Sequence, residues 1–364
     1  VSMYESRIAA DPLTVAMMEG FPPAIDALAA GNLAGHGFLR AAWYGAGAKE
    51  QGRTLVIRRG TGGEVIAAIP MLAFGPPIIG ARKLAGPYWP FRAPLLSPDC
   101  STLHLAHALA DSAARSLGPV WRMGPVRGDD PAVAMLIAAA QLVGWLVLSR
   151  PAGTSWIIDL DAMRANPPSR GSTPRKLRAG WRKLETLGTP RWRTVRGAQW
   201  DAEALVAMGR VEADSWIARE TDGSGAKFLT AEQRAVWQHA LTDPAIAERL
   251  CAIILFLNDR PVAFSFDLDD GPVRYAIAGT HVEDLKHCYI GKTLNYRAMD
   301  EAIDAGFSTL DLGSGDSGYK RTMGAVPGYD MADLLFVRSR LAATLLKRVW
   351  GKALTAAGEG LAHG

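Results

Sequence analysis

The sequence predicts an α+β fold in two tandem halves, each a mixed, mostly antiparallel sheet flanked by helices. Three observations carry this. Two segments, TLVIRRGTGGEVIAAIPM and AIILFLNDRPVAFSFDL, share one layout of strand, polar turn and strand with a small residue near its start. Each stands ahead of an alternation of helices and strands. The 364 residues are also enough for two domains and a sizeable core.

The first half, residues 1–165, opens on irregular Gly/Pro-rich sequence before its hairpin. Phe74 to Pro98 reads as loop, because Pro90, Pro94 and Pro98 exclude regular helix. Tyr88, Trp89 and Phe91 either pack beneath that loop or line a pocket, and packing is the simpler expectation. A helix from about Thr102 to Ser116, the strand VWRMG, a helix from Pro131 to Val143 and the strands GWLVLSR and SWIIDL follow. The apolar run from Ala132 to Leu148 has the length of a membrane span. Gln141 and Gly144 interrupt it, and Gly144 reads as a helix stop.

The junction falls in the polar, proline-containing stretch Asn166 to Pro174, so residues 166–364 form the second half. Thr173 reads as an N-cap with Pro174 at the first helical position, and the helix runs to Leu187, closed by Gly188. Leu177, Trp181, Leu184 and Leu187 share one side, while Arg175, Lys176, Arg178, Arg182 and Lys183 cover much of the rest. PRWRTVR is a strand, Trp200 to Ile217 a helix with Leu205, Met208, Val211 and Ile217 toward the core, and Ala231 to Leu241 another helix. The second hairpin and VRYAIAGT then make a three-stranded antiparallel meander.

Ala276 to Lys320 is the stretch richest in signals: strand, polar loop, helix, strand, glycine-rich loop and a Tyr-Lys pair. Gly291 opens the helix, Leu294, Met299, Ala302 and Ile303 give it an apolar face, and Gly306 ends it as a left-handed cap. A helix that starts directly after a strand points unpaired N–H groups at whatever lies before it, which makes an anion site. Lys292 adds a positive charge there. The reading is either a phosphate-bearing cofactor or an ordinary strand-to-helix crossover. DLLFVR is the last strand. A terminal helix from about Arg340 sets Leu341, Leu345, Val349 and Ala353 among Arg340, Lys347, Arg348 and Lys352. That face either lies on an anionic membrane surface or packs on its own domain.

Composition narrows the function classes. A 49% hydrophobic content with scattered charge belongs to a folded protein, not a disordered one. Cys100, Cys251 and Cys288 are widely spaced and form no C-x-x-C pair, which argues against a disulfide framework or structural zinc and for a reducing compartment. Val1 to Gly20 lacks a signal-peptide pattern, so the expected localisation is cytoplasmic, with peripheral contact on the inner face of the membrane. His104 and His107 sit at i, i+3 with no third ligand, so no metal is expected. No G-x-S-x-G, Walker or dinucleotide fingerprint occurs. Between Arg164 and Arg196 ten Lys/Arg face one acid, Glu185, giving +9 in a chain of formal net +4 and leaving −5 elsewhere. Such local charge either recruits an anionic partner or solvates a helix face.

Trp156 to Arg338 resembles the GNAT acyltransferases, in the branch similar to the CelD/BcsL-type proteins linked to cellulose and exopolysaccharide production. These in turn resemble the Fem-type double-GNAT transferases. The resemblance is carried by RKLRAGWRKLETLG, the DSW of Asp214 to Trp216, NDRPVAF, Tyr289-x-Gly291-x-x-Leu294, a helix ending in AG, and DLGSGDSGYK. The first half fits by architecture, as a degenerate copy. One departure is Ile290, where the family commonly has proline, together with the missing glycine-rich run of simpler GNAT enzymes. The resemblance implies acyl-CoA as acyl donor and an amine as acceptor. It puts the donor's pyrophosphate against the backbone of Ile290, Gly291, Lys292, Thr293 and Leu294, and the pantetheine along Ala276, Ile277 and Ala278, whose strand N–H groups polarise the carbonyl. Tyr289 and Asp267 are then expected at the substrate.

Acyl transfer to an amine needs a held donor, a partner for the carbonyl oxygen, a base for the amine and a proton for the departing thiolate. A phenol can give a proton without a metal, which makes Tyr319 the candidate at the sulfur; the alternative is a packed core tyrosine. Lys320 either holds a phosphate or oxyanion or is a solvated lysine. Base candidates are His281, which has a suitable intrinsic pKa, Glu283, Asp267 and Asp311, with a bound water as the alternative to all four. Capping the glycine-rich turn is the other role open to Asp311. Asp214 and Trp216, read as helical, either line the acceptor pocket or, for the tryptophan, pack in the core. The expected function is acyl-CoA-dependent N-acylation in cell-envelope lipid or exopolysaccharide synthesis, including long-chain acylation of a sphingoid amine. Fem-like aminoacyl transfer from tRNA and a binding module that kept the fold without the chemistry are the competing readings. Nucleic acid is otherwise not an expected partner.

Overall fold

Both predicted hairpins form, and both are buried on two faces. In the computed structural model of the chain, residues 12–87, 90–165, 172–221, 223, 225–315, 318–350 and 352–353 are described. In chain order the strands are β1 (Leu13–Glu19), β2 (Arg53–Arg59), β3 (Val65–Ala73), β4 (Arg82–Leu84), β5 (Leu95–Leu96), β6 (Val120–Arg127) and β7 (Leu146–Asp159). They continue as β8 (Pro190–Arg196), β9 (Leu250–Leu257), β10 (Arg260–Asp270), β11 (Val273–His281), β12 (Thr309–Ser314), β13 (Val326–Val337) and β14 (Lys352–Ala353). The helices begin with α1 (Ile25–Ala30), α2 (Ala41–Gly45), α3 (Thr102–Ala110), α4 (Pro131–Leu142), α5 (Leu160–Ala165), α6 (Ser172–Glu185) and α7 (Ala202–Ala213). They end with α8 (Trp216–Glu220), α9 (Ala231–Ala240), α10 (Pro244–Arg249), α11 (Ile290–Asp304), α12 (Tyr319–Thr322) and α13 (Arg340–Leu346).

The chain divides into two units, Val1–Thr154 with Tyr329–Gly364, and Ser155–Gly328. It passes from the first to the second inside β7 and returns inside β13. In the first unit the strands run β1-β2-β3-β4-β6-β13-β7, with β4–β6 parallel and β2–β3 and β6–β13 antiparallel. In the second the order is β7-β12-β11-β10-β9-β8, with β11–β12 parallel and the rest of the meander antiparallel. This is the mixed α+β architecture that the patterning predicts. Every position of β10 from Pro261 to Asp270 is buried, as a strand with cover on both faces requires. A second-unit core gathers Ile158, Leu160, Met299, Ala302, Leu310, Met323 and Ala325.

Several elements differ from the sequence reading, each for a local reason. GWLVLSR and SWIIDL are one strand, β7: Pro151 gives up one ladder donor and Gly153 takes a φ of 111°, so the strand bends without ending. The unit boundary therefore falls within that strand rather than at residues 165/166, and the last strand and terminal helix group with the first unit. The helix expected over Thr102–Ser116 stops at Ala110, where the Asp111 side chain accepts the Ala113 N–H and starts a tighter 3-10 turn. The helix expected over Trp200–Ile217 breaks at Asp214, because Ser215 Oγ accepts the Ile217 N–H and starts α8. β1, α5 and α10 form where the sequence pattern is weak. The N-cap reading of Thr173 rests on a side chain outside the described residues, as do Tyr88 and Trp89; Phe91 is buried. His104 serves as the capping-box partner of Ser101 at the start of α3. Among the described residues no helix is long and apolar enough to cross a membrane.

Candidate active site

The second unit opens where two of its strands part. β11 pairs with β12 only through Val273–Thr309, Arg274–Leu310 and Tyr275–Asp311, while on its other side it stays with β10 as far as His281. From Ala276 onward the β11 backbone therefore has a partner strand on one side only among the described residues. A bulge lies at the same place: Phe266 faces Ala278 but Asp267 faces Ala276, which leaves Ile277 as the extra residue. A cavity of about 800 Å³ follows this unpaired edge, and α11 and α12 complete its walls. Ala276, Ile277 and Ala278 line it.

The start of α11 meets the same space. Tyr289 takes a left-handed conformation at φ 58°, uncommon for a tyrosine, and its carbonyl accepts both the N–H (2.9 Å) and the Oγ1–H (3.1 Å) of Thr293. The N–H groups of Ile290, Gly291 and Lys292 have no carbonyl one turn back within the helix. Of these residues, Gly291 and Lys292 line the cavity, together with Leu294. Gly291 is needed because His281 lies against it: a Cβ there would sit 2.5 Å from His281 Nδ1. Helix α6 backs onto the turn before Tyr289 at Gly180, where a Cβ would meet the Cys288 carbonyl oxygen at 2.4 Å. Ile290 is buried and, like Thr293, is not in the cavity wall.

The titratable groups fall into two sets. Asp267 is buried in the cavity wall, with Ser265 Oγ 3.0 Å from each carboxyl oxygen. Burial pushes its pKa up to about 7, against the pull of Arg274. Arg274 is committed to Asp269 through two hydrogen bonds of 2.7 and 2.8 Å, and Arg196 also pairs with Asp269. His281 lines the cavity too, and burial lowers its pKa. Tyr319, 43% exposed, opens α12 at the cavity, and Trp216 and Tyr289 stand half-exposed at it. Trp216 is thus not a core residue.

The second set holds the glycine-rich loop, and of it Lys320 also lines the cavity. Lys320 is not a solvated lysine: it is 4% exposed and its Nζ donates to the carbonyls of Gly313 (2.8 Å) and Ser314 (2.9 Å). Burial lowers its pKa to about 8, partly opposed by Asp311. Asp311 is buried, accepts hydrogen bonds from Ser155 Oγ and the Gly313 N–H (2.9 Å), and lies outside the cavity wall. It caps the loop. Asp214 and Glu283 also lie outside. Asp214 pairs with Arg260 at 3.0 Å, since the break at Ser215 turns it from α8, and Glu283 pairs with Lys286 at 3.3 Å. Ser265 and Asn295, absent from the sequence candidates, both line the cavity. Ser265 carries a signal of its own, since two residues apart on a strand puts it on the face of Asp267.

Residues 171–321, which include α6, the β11–β12 split and the start of α12, match the family model of the acetyltransferase (GNAT) domain. The second unit carries a GNAT domain. The chain is also similar in structure to FemX, at 13% identity over 91% of this chain and 100% of that one, with a TM-score of 0.55. Similar again are L-PGS of Bacillus licheniformis (14% identity, 90% and 96% covered, TM-score 0.52) and a tandem GNAT protein of the clavulanic acid biosynthesis pathway (12% identity, 90% and 99% covered, TM-score 0.52). At these identities the likeness is one of fold, and it extends the GNAT-like architecture to both units as a tandem. Among curated proteins none matches the sequence.

Proposed function

We propose that this chain is an acyl-CoA-dependent N-acyltransferase acting on an amine of cell-envelope lipid or exopolysaccharide synthesis, with the first unit a degenerate GNAT copy and the whole similar to the CelD/BcsL-type proteins. One observation carries the reading: the half-paired edge of β11 and the start of α11 open into a single cavity. A donor that is polar and anionic at one end and extended in the middle suits that pairing. Its pyrophosphate is held by the N–H groups around Gly291 and by Lys292, and its pantetheine amides bond to the free edge of β11. The amine attacks the thioester carbonyl, a C–N bond forms and the C–S bond breaks. Asp267, with a pKa of about 7, takes the amine proton. A β11 N–H meets the oxygen as it gains charge, and Tyr319 gives its proton to the departing thiolate. Lys320 and Asp311 hold the loop that carries Tyr319. Trp216 and Tyr289 give the acceptor an aromatic edge, which favours a long-chain amine such as a sphingoid base over a sugar. No step calls for a metal, and the expected place of action is the cytoplasm.

Calorimetry with CoA, acetyl-CoA and palmitoyl-CoA tests this. Binding that tightens with chain length supports lipid N-acylation, and preference for acetyl-CoA supports sugar acetylation. No binding to any of the three removes the acyl-CoA donor. A second reading rests on α6, where Arg175, Lys176, Arg178, Arg182 and Lys183 are all exposed, a surface suited to the phosphates of a charged tRNA. Ribonuclease sensitivity of turnover separates the two readings. If Tyr319→Phe and Asp267→Asn both leave turnover unchanged, the assigned chemistry is wrong and a binding module becomes the better description.

A further inference from the structure

The most exposed large apolar side chains among the described residues are not at the cavity. They are Ile78 at 96%, Leu341 and Val349 at 81%, and Leu345 at 68%, all in the first unit. The sheet explains why they cluster. β4 begins at Arg82 and pairs in parallel with β6 at Trp121, and β13 ends at Val337 opposite Val120. The segment before β4, the segment before β6 and the segment after β13 thus leave the sheet at one end. Close contacts tie them together. A Cβ on Gly118 would lie 2.1 Å from the Gly80 carbonyl oxygen, and the Arg338 N–H donates to the Pro119 carbonyl at 3.1 Å.

Helix α13 is oriented firmly. Ala343 is buried against Leu148, Leu335 and Val337, and Leu346 and Trp350 pack on the same cluster. Arg150 and Arg122 lie over the Trp350 ring at 3.9 and 5.3 Å. With that side fixed, Leu341, Leu345 and Val349, four residues apart, point outward as a ridge. Arg340, Lys347 and Arg348 flank it, and Arg115 stands on the segment before β6. None of these four cations is in an ion pair with a described residue. An apolar ridge edged by free cations has the chemistry of a surface that dips into hydrocarbon while anions collect around it.

We propose that this end of the first unit, formed by Ile78, Leu341, Leu345 and Val349 with Arg340, Lys347, Arg348 and Arg115, is a docking surface for anionic lipid bilayers. A protein partner would ask for a groove or a flat patch, whereas here the apolar groups form a protruding ridge on and after α13 and a tip, Ile78, on the segment before β4. The surface acts without reference to the donor, so it stands whether or not the N-acyltransferase reading does. Cosedimentation of the full chain with phosphatidylcholine vesicles, with and without phosphatidylglycerol, tests it. The expected result is binding to the phosphatidylglycerol vesicles that is at least about tenfold tighter and weakens with salt. The triple variant Ile78→Asp/Leu341→Asp/Val349→Asp should lose about tenfold or more of that binding. Its unfolding midpoint should match the parent, since all three side chains face solvent. The charge reversal Arg340→Glu/Lys347→Glu/Arg348→Glu should abolish the phosphatidylglycerol preference. Absence of binding to the anionic vesicles, or equal binding by parent and triple variant, would overturn the proposal. So would a dimer seen by analytical ultracentrifugation, lost in the triple variant and unaccompanied by vesicle binding.

Discussion

Asp267 is the residue that two independent measurements can test. A carboxyl with an ordinary value of 3.8 and a folded value of about 7 has the proton affinity that the proposed general base needs at working pH. The expected kcat/KM profile rises with pH through about 7, because only the ionised form takes a proton. The acceptor amine also loses a proton as pH rises, so Asp267→Asn is the control: it should lower kcat by about 10²- to 10⁴-fold and remove the limb near 7. The stability effect has the opposite direction. Between pH 3.8 and about 7 the folded chain holds this proton more tightly than the unfolded one. Stability therefore falls as pH rises through that window, and the cost is complete above it. Asp267→Asn should raise stability by on the order of 2–4 kcal/mol near pH 8 and by little near pH 4, read by thermal unfolding at both. The sequence singled out Asp267, Tyr319 and Lys320, and all three line the cavity. That Lys320 is buried and held by two loop carbonyls was not legible, because lysine is rarely buried. Asp214 was misplaced because nothing in DSW says that the serine caps a new helix.

At the scale of elements, two glycines set how closely α11 meets β11 and how closely α6 meets the turn before α11. A Cβ at position 291 would press on His281 at 2.5 Å, so Gly291→Ala must move either the ring or the start of α11. Because that start is the proposed phosphate site, the substitution should raise the apparent Kd for CoA by roughly tenfold, the size expected when helix N–H groups lose their aim. Gly180 is a matched test of an element that supports the site from behind. A Cβ there would meet backbone, the Cys288 carbonyl oxygen at 2.4 Å, which cannot rotate away. Gly180→Ala should destabilise the chain by about 1–3 kcal/mol. It should also speed amide exchange in Glu283–Cys288 more than in β9 or β10. The cationic face of α6 was plain in the sequence from its 3.6 periodicity. That its other side leans on the turn before α11 was not, because one glycine among charged residues carries no signal of what it touches.

The second folding unit is defined by a strand that the sequence assigned to the first. A division at residues 165/166 follows composition, since Asn166–Pro174 has the polar, proline-bearing character of a linker. Packing follows burial instead. Ile158 and Leu160 are 1% and 0% exposed and belong to one cluster with Met299, Leu310 and Met323. β7 pairs with β12 from Asp159–Thr309 to Ser155–Ser314, and Ser155 also bonds to the buried Asp311. A fragment of residues 166–364 lacks all of this. Each buried Ile or Leu that is lost costs about 2–5 kcal/mol, so two of them approach or exceed the lower part of the roughly 5–15 kcal/mol that holds a domain together. Exposing the β12 edge and leaving Asp311 without Ser155 adds to that loss. The fragment 166–364 should therefore show no cooperative thermal transition by circular dichroism. The fragment 155–328, which keeps β7 from Ser155, should show one and should bind CoA at the same cavity. If 166–364 instead unfolds cooperatively and 155–328 does not, the compositional linker marks the folding boundary and the β7 residues are dispensable to the site.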